Sequence, residues 1–388
     1  GLTVSAEEII RDRKILKREA FLNLSKGSYL TSKIIILFGI SAIQTFTFVL
    51  VGNTILEING MLLPYWAIFF ATSCFANLLG LNISSAFNSA VTIYILIPIL
   101  LIPQLILSGV VVQFDKLNPA LSSGNKVPIV GELMTSRWAF EAAIVHQFKS
   151  NEFERQFYPY DKVMGEAEFK KVYYIPRLLS KLDFCRVNYH DEKMKQEVEN
   201  GFLLLKNEIG KELSKIGKDK FTDADKLNLA DFNESVYTST KTFLEALNRF
   251  YTNRFNKASD RKDKMIMALI KDDEGRKSFE LSRNQNQNER IVQLVKNEAE
   301  THRITEKDGK LIAKFYPIYL GADGPRSPLN FRTQFYVPEK PFLGNYFDVF
   351  TFNLSIIWAM IIILIVTLYY DVLRKFIEFS SAISFSKK

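Results

Sequence analysis

Charged residues are missing from three long stretches of the 388-residue chain, at residues 34–56, 58–114 and 349–370. A helix that crosses the hydrocarbon core of a bilayer needs about 20 apolar residues, because a rise of about 1.5 Å per residue must cover about 30 Å. The first and last stretches each hold one such helix, and the middle stretch holds two. The pattern predicts an integral membrane protein rather than a soluble one with buried helices, with spans at residues 34–56, 61–82, 88–113 and 348–371.

Basic residues lie before the first predicted span and after the last, at Arg11, Arg13, Lys14, Lys17, Arg18, Lys26 and Lys33, and at Arg374, Lys375, Lys387 and Lys388. Lys and Arg are retained on the cytoplasmic side of membranes, so we expect both termini to be cytoplasmic at the plasma (inner) membrane and residues 114–345 to be extracytoplasmic. This placement also indicates membrane lipid, and not nucleic acid, as the partner of the net charge of +8.

The fold class that we predict is all-α, a polytopic bundle of four spans with a large helical extracytoplasmic insert between spans three and four. Residues 1–30 form an amphipathic connector, 31–113 the first three spans, 114–345 the insert and 346–388 the last span and tail. Two apolar stripes with helical spacing indicate helices in the insert, at Val198, Phe202, Leu205, Ile209, Leu213 and Ile216, and at Phe232, Val236, Phe243, Leu247 and Phe250. A third, less regular helix is expected at about 276–302, and an irregular return to the membrane from about 316 to 344.

Two segments near the membrane allow more than one interpretation. The connector helix either lies on anionic lipid headgroups or contacts a partner domain. In the third predicted span, Gln104 and Ser108 lie one turn apart, and they either form hydrogen bonds between helices or line a translocation path. Residues 132–148 are too short and too charged to span, so we expect a re-entrant or interfacial helix there, with Ser136 as a helix cap.

Residues with a pattern typical of catalysis or metal binding are missing from the sequence. It lacks the phosphate-binding G-x-x-x-x-G-K-[ST] loop. His146, His190 and His302 are far apart, so zinc is not expected. Cys74 lies in a predicted span and Cys185 in the predicted insert, so we expect no disulfide between them. If the protein uses energy, another domain therefore has to supply it. The chain begins with Gly, and we expect it to be the downstream piece of a longer polypeptide.

Three short motifs resemble the permease domain of G-subfamily (white/pigment-type) ATP-binding-cassette exporters. They are "EEIIRDRKILKREAFLNLSKGSYLTSK" from residue 7, "LILSGVVV" from residue 105 and "SRWAFEA" from residue 136. The resemblance implies that the chain carries spans three to six of a six-span permease half, with a nucleotide-binding cassette and two spans preceding Gly1. The insert is larger than is usual in the family and is similar to that of bacterial members.

The resemblance also implies roles for particular residues. Contact with the cassette would involve Glu7, Arg11, Lys14, Arg18, Glu19 and Tyr29, with Lys33 at the threshold of the next span. The substrate path would include Ile102 and Gln104. Ser108 and Gly109 would permit close approach of helices, Val110 and Val111 would form a water-excluding gate, and Ser136, Arg137 and Glu141 would lie in the re-entrant helix.

The function that the resemblance implies is the permease part of an ATP-driven exporter for an amphipathic or lipid-like substrate. Its partners would be the cassette, which would bind ATP and Mg²⁺, and a second permease half in a homodimer or heterodimer. No cofactor or metal is expected in this chain itself. Two alternatives remain open: an ATP-driven mechanotransmitter that acts on a periplasmic partner through the helical insert, and a membrane scaffold that uses no energy.

Overall fold

The computed structural model describes residues 1–19, 25–111, 114, 127–321 and 331–385. The chain divides into two compact units. The first, called the membrane unit here, comprises Gly1–Glu152, Gly324–Phe335 and Glu339–Lys388, and the second, the helical unit, comprises Phe153–Asp323 and Tyr336–Pro338. Most of residues 112–126, and residues 322–330 of the predicted return, lie outside the described residues.

The described residues form mostly α-helices, with two short β-hairpins. The helices are α1 (Leu2–Glu19), α2 (Lys26–Ile55), α3 (Leu62–Ala86), α4 (Ala90–Ile106), α5 (Ile129–Glu132), α6 (Thr135–Ser150), α7 (Glu154–Phe169), α8 (Ile175–Asn188), α9 (Lys195–Ile216), α10 (Glu234–Leu269), α11 (Asp273–Asn286), α12 (Glu289–Lys296), α13 (Val349–Tyr369) and α14 (Val372–Phe385). The strands are β1 (Ile304–Lys307), β2 (Lys310–Ala313), β3 (Glu339–Phe342) and β4 (Asn345–Asp348). The prediction of a mainly helical fold is confirmed.

Three helices of the described residues are long and apolar enough to cross a membrane: α2 with 30 residues, α3 with 25 and α13 with 21. They correspond to three of the four predicted spans. The fourth, α4, has 17 residues and would extend about 26 Å at about 1.5 Å per residue. It was predicted to continue to residue 113 but ends at Ile106. The chain is therefore a multi-pass membrane protein, and the count of four spans stays a prediction.

Helix α3 is the centre of the membrane unit and packs against α1, α2, α6, α13 and α14. Its residues Cys74, Leu78 and Leu81 are fully buried. Polar side chains add specific links, since Asn77 donates to Ser41 of α2 at 2.7 Å and Asn82 donates to the Leu364 carbonyl of α13 at 3.0 Å. Small and amide side chains of this kind hold helices together where lipid removes the hydrophobic driving force.

The helical unit has a core of its own, formed mainly by α8, α9 and α10, with Ala167 and Phe169 of α7 and Leu311 of β2. The predicted stripe from Val198 to Leu213 is buried, as are Phe232, Val236 and Leu247 of the second stripe. The prediction is wrong for Phe250, which is exposed, whereas the adjacent Tyr251 is buried. The third predicted helix is divided at Gln287 and Asn288 into α11 and α12.

Two antiparallel hairpins were not predicted. In the first, Ile304 pairs with Ala313, and in the second, Glu339 pairs with Asp348. Their turns hold Asp308-Gly309 and Leu343-Gly344, and all four residues have positive φ. A two-residue turn with positive φ at both positions matches the twist of paired strands, which is why Asp-Gly is a strong hairpin signal. The second hairpin leads directly into α13.

Candidate functional site: a connector helix and a buried ion network

Helix α1, the predicted connector, is tied to the start of α2 by charged side chains. The Lys33 ammonium lies 2.7 Å from carboxylate oxygens of both Glu8 and Asp12. The Tyr29 hydroxyl donates to Asp12 at 3.1 Å. These links fix α1 relative to α2 on either side of residues 20–24, which are not described.

The same helix is also held at the C-terminal end of α3. The Arg13 guanidinium donates to the carbonyls of Ser84, Ser85 and Phe87 at 3.4, 3.3 and 3.1 Å. The last carbonyls of a helix have no partner within the helix and carry its negative dipole end, so a cation is favourable there. Close packing continues along α1, because a Cβ at Gly80 would lie 2.0 Å from the Ser5 hydroxyl oxygen.

The residues expected to contact a cassette fall into two groups in the structure. Arg11, Lys14 and Arg18 are exposed on one side of α1, where Arg11 makes a surface ion pair with Glu8 at 2.9 Å.

Two others are used within the membrane unit: Glu7 accepts a hydrogen bond from Tyr94 of α4, and Tyr29 is held by Asp12. The backbone of Glu19 ends α1, and its side chain lies outside the described residues. Sequence reasoning missed Glu8, Asp12 and Arg13. Their i, i+4, i+5 spacing was readable, but their partners were not.

The Ser108-Gly109 pair follows the end of α4 at Ile106. The Ser108 hydroxyl donates to the Leu105 carbonyl at 2.7 Å and accepts from the Val110 amide at 3.2 Å, which replaces helical hydrogen bonds by local ones. Gly109 has φ +85°, and a Cβ there would lie 2.7 Å from the Phe335 ring. The close approach that the structure shows at Gly109 is therefore to aromatic rings of the same chain, Phe335 and Phe114.

Gln104 and Ser136 connect α4 to α6. The Ser136 amide and hydroxyl donate to the Gln104 side-chain oxygen at 3.2 and 3.0 Å, and the same hydroxyl donates to the Gln104 carbonyl. That carbonyl lies in the last turn of α4, where the helix offers it no partner. The prediction that Ser136 caps its own helix is wrong, because α6 begins after Met134 without a side-chain cap.

The predicted gate residues lie beyond the end of α4, and their side chains are exposed in this chain. Val110 is 55% exposed and Val111 is 68% exposed. Ile102, one of the two residues expected along a substrate path, is also exposed. Other apolar side chains around this region are also exposed: Ile99, Leu101, Leu105 and Ile106 of α4, and Ile129, Val130 and Leu133 around α5.

A buried ion network connects α6 to the β3–α13 region. Glu141 and Lys340 are both fully buried, and the Lys340 ammonium lies 2.8 Å from Glu141. Lys340 also donates to the Thr333 hydroxyl at 2.8 Å, and Asn353 of α13 donates to Glu141 at 2.9 Å. Two opposite charges out of contact with water are compatible with folding only when they are paired and hydrogen-bonded in this way.

Arg137 and Glu132 extend the network to α5. The Arg137 side chain is 1% exposed, lies over the Trp138 ring at 3.8 Å and has Glu132 at 3.3 Å and Glu141 at 3.5 Å. Both carboxylate oxygens of Glu132 are buried without a hydrogen-bond partner of good geometry.

Sequence reasoning found Arg137 and Glu141 but not Lys340, which is 199 residues from Glu141 in the chain. The local sequence shows only a lysine between Glu339 and Pro341, which identifies no partner.

The helical unit has a separate buried polar cluster around a π-helical turn, Lys170–Tyr174. Glu212 accepts from Lys170 at 2.7 Å and from Tyr251 at 2.5 Å, and Glu208 accepts from Tyr174 at 3.0 Å. Burial opposes ionisation of Glu212, but the Lys170 ammonium and these hydrogen bonds outweigh it and lower the pKa of the carboxyl group. Burial lowers the pKa of Lys170 despite its partner.

Among the described residues, no group of three or more His, Cys, Asp and Glu side chains is placed to hold a metal ion. Cys74 and Cys185 are free and buried.

Comparison with known proteins adds one match. No curated protein and no solved structure resembles the chain significantly. One family model matches the segment from α1 to the last turn of α6. This segment contains the connector, two of the three candidate spans, α4 and most of α6. The helical unit and α13 lie outside it. Residues 1–148 match the family model of the ABC-2 type transporter, so this part of the chain is similar to the membrane permease domain of ATP-binding-cassette exporters.

Proposed function

We propose that this chain is the permease part of an ATP-driven exporter. The observation that carries the proposal is the match of residues 1–148 to the ABC-2 type transporter, in a chain with three helices able to cross a membrane. The motifs around residues 7–33, 105–112 and 136–142 favour a G-subfamily exporter with a bacterial-like enlarged external domain. The apolar side chains exposed along α4 support an amphipathic or lipid-like substrate.

The energy would come from a nucleotide-binding cassette, on the same polypeptide or on a separate one, that binds ATP and Mg²⁺. The exposed basic side of α1, formed by Arg11, Lys14 and Arg18, is a suitable contact surface for it. Because α1 is tied to α2 by Lys33 and to α3 by Arg13, a displacement of α1 would be passed to two candidate spans. This is transmission through packed, hydrogen-bonded elements.

The gate would form where two permease halves meet. Val110 and Val111 are open here, and in a dimer they would exclude water between the halves until the cassettes separate. The chain that follows α4 supports this position, because the hydrogen bonds of the Ser108 hydroxyl shape the loop that carries the two valines.

Transport by the full-length protein with its cassette, reconstituted in vesicles, tests the proposal. A double variant Val110→Ala, Val111→Ala should retain ATP hydrolysis and lose the coupling of hydrolysis to movement of a fluorescent lipid-like substrate. Val91→Ala is the matched control, since Val91 is as exposed as Val111 but lies at the other end of α4. Unchanged coupling in the double variant would remove the gate assignment. ATP hydrolysis without movement of any tested substrate in the wild-type protein would favour the mechanotransmitter.

A further inference from the structure

Helix α14 follows the last candidate span after a single break. Asp371 has φ +50°, which ends α13 and starts a separate helix at Val372. Lys26, the first residue of α2, donates to the Tyr369 carbonyl at 2.9 Å and pairs with the Asp371 carboxylate. The start of α2 and the end of α13 therefore lie together, at one boundary of the predicted membrane.

An apolar stripe on α14 is exposed. Val372, Phe376 and Phe379 have i, i+4, i+7 spacing and so share one face of the helix. Their side chains are open, with Phe376 68% and Phe379 66% exposed. Leu373 and Ile377 lie on a neighbouring face and are partly buried, and α14 packs against α3.

The remaining side of α14 is charged, mostly basic. Arg374 and Lys375 are exposed, and Glu378, the one acid on the helix, is paired with Arg374 at 2.8 Å. An open aromatic stripe beside lysine and arginine is typical of a helix that lies in the plane of a membrane interface.

Two exposed tyrosines fix the depth at which α14 begins. Tyr369 and Tyr370 end α13, and both are open. Tyrosine is enriched at the headgroup level of bilayers because its ring is apolar and its hydroxyl is polar. The first residue of α14, Val372, follows Tyr370 by two positions, so the helix starts at the same level.

We propose that α14 is a membrane-surface helix that binds a leaflet with anionic headgroups. Val372, Phe376 and Phe379 insert among the upper acyl chains, while Lys375 and Arg374 lie at the phosphates. A second copy of the chain or a cassette would be the alternative occupant of the stripe. The observations favour lipid, because the stripe continues directly from a span and from its interfacial tyrosines. The inference requires only that α13 crosses a membrane, and so it does not depend on the export function.

Spin labels on the full-length protein in vesicles test the inference. Phe376→Cys and Phe379→Cys report on the apolar stripe, and Glu378→Cys is the matched control on the charged side of the same helix. Cys74 and Cys185 are buried and leave the background unlabelled. Collisions of each label with oxygen, which dissolves in lipid, are compared with collisions with a water-soluble nickel chelate.

We expect the labels at positions 376 and 379 to collide more often with oxygen, and less often with the nickel chelate, than the label at 378. Replacing neutral phosphatidylcholine by a mixture with phosphatidylglycerol should increase this difference, and Lys375→Gln should reduce the increase. Labels at 376 and 379 that meet mainly nickel would overturn the inference, as would labels that meet neither probe, because the stripe would then be in water or covered by protein. Equal results in both lipids would overturn the part concerning anionic headgroups.

Discussion

Glu141 and Lys340 are a fully buried ion pair, and its contribution to the free energy of unfolding depends on both partners being present. Lys340→Met leaves the Glu141 charge without its nearest cation, and we expect a loss of about 3–5 kcal/mol in the free energy of unfolding. Lys340→Met together with Glu141→Leu should lose less than the single variant, since no uncompensated charge remains. Thermal unfolding in detergent measures both variants.

The control for this pair is Lys206→Met. Lys206 lies 2.8 Å from Asp225, but both side chains are exposed, and such pairs contribute little to stability. A double variant that is less stable than Lys340→Met alone would show that the pair is not the main interaction of these residues.

Gly80 is a residue at which α1 and α3 approach closely. A Cβ there would meet the Leu2 carbonyl at 2.7 Å and the Ala6 amide at 3.0 Å, besides the Ser5 hydroxyl. Because backbone atoms cannot turn away, Gly80→Ala should displace α1 and cost about 1–3 kcal/mol. Gly39→Ala is the matched control in α2, since a Cβ there has nothing within 4 Å and alanine is the better helix former. Equal melting temperatures for the two variants would contradict the close packing.

Because of Glu212, the helical unit should become less stable as the pH falls into the acid range. Its pKa in the folded protein is lowered from 4.5 by Lys170 and Tyr251, against the opposing effect of burial. A carboxyl group with a lowered pKa contributes stability that is present above pH 4.5 and is lost as the pH falls through the folded value. We expect the melting temperature of Glu212→Gln to be lower than that of the wild type at pH 7, and the difference to shrink below pH 4.5. A constant difference over this range would contradict the interpretation.

At the scale of elements, α1 has one side that is anchored and one that is open. Replacing Arg11, Lys14 and Arg18 together by Glu should leave the melting temperature nearly unchanged, because exposed charges contribute little to folding. It should reduce coupling between ATP hydrolysis and transport if this side contacts the cassette. Lys195→Glu is the control, since Lys195 is equally open but lies in the helical unit. Full coupling in the triple variant would remove the proposed contact surface.

Helix α4 shows what a hydropathy pattern can predict and what it cannot. Its apolar composition predicted a membrane helix, but an uncharged run cannot show a break inside it. The break at Ser108 depends on a hydroxyl that replaces backbone partners and on a glycine with φ +85° against Phe335, which is 226 positions further along the chain. The Asp308-Gly309 hairpin turn was different, because its signal is local and was available in the sequence.

For the whole molecule, hydropathy was sufficient to predict α2, α3 and α13, because lipid imposes the same requirement on every residue of a span. The buried network could not be predicted in this way. Glu141 and Lys340 are brought together only when α6, β3 and α13 have packed, and nothing in either local segment identifies the other. Arg137 and Glu141 were found through a resemblance, which supplied positions but not partners.

The topology of the chain is the prediction on which the placement of the helical unit depends. Val187 in α8 is 80% exposed, and Lys14 in α1 is also exposed. A cysteine at either position is therefore accessible to a labelling reagent. In intact cells, a maleimide that does not cross membranes should label the Val187→Cys variant, and should label the Lys14→Cys variant only after permeabilisation. The wild type is its own control, because burial raises the pKa of the Cys185 thiol to about 12 and Cys74 is fully buried. Labelling in the reverse order would place the helical unit in the cytoplasm. A large cytoplasmic unit after α6 would leave the open valines at the end of α4 on the side where the substrate enters, and the gate would then have to be sought elsewhere.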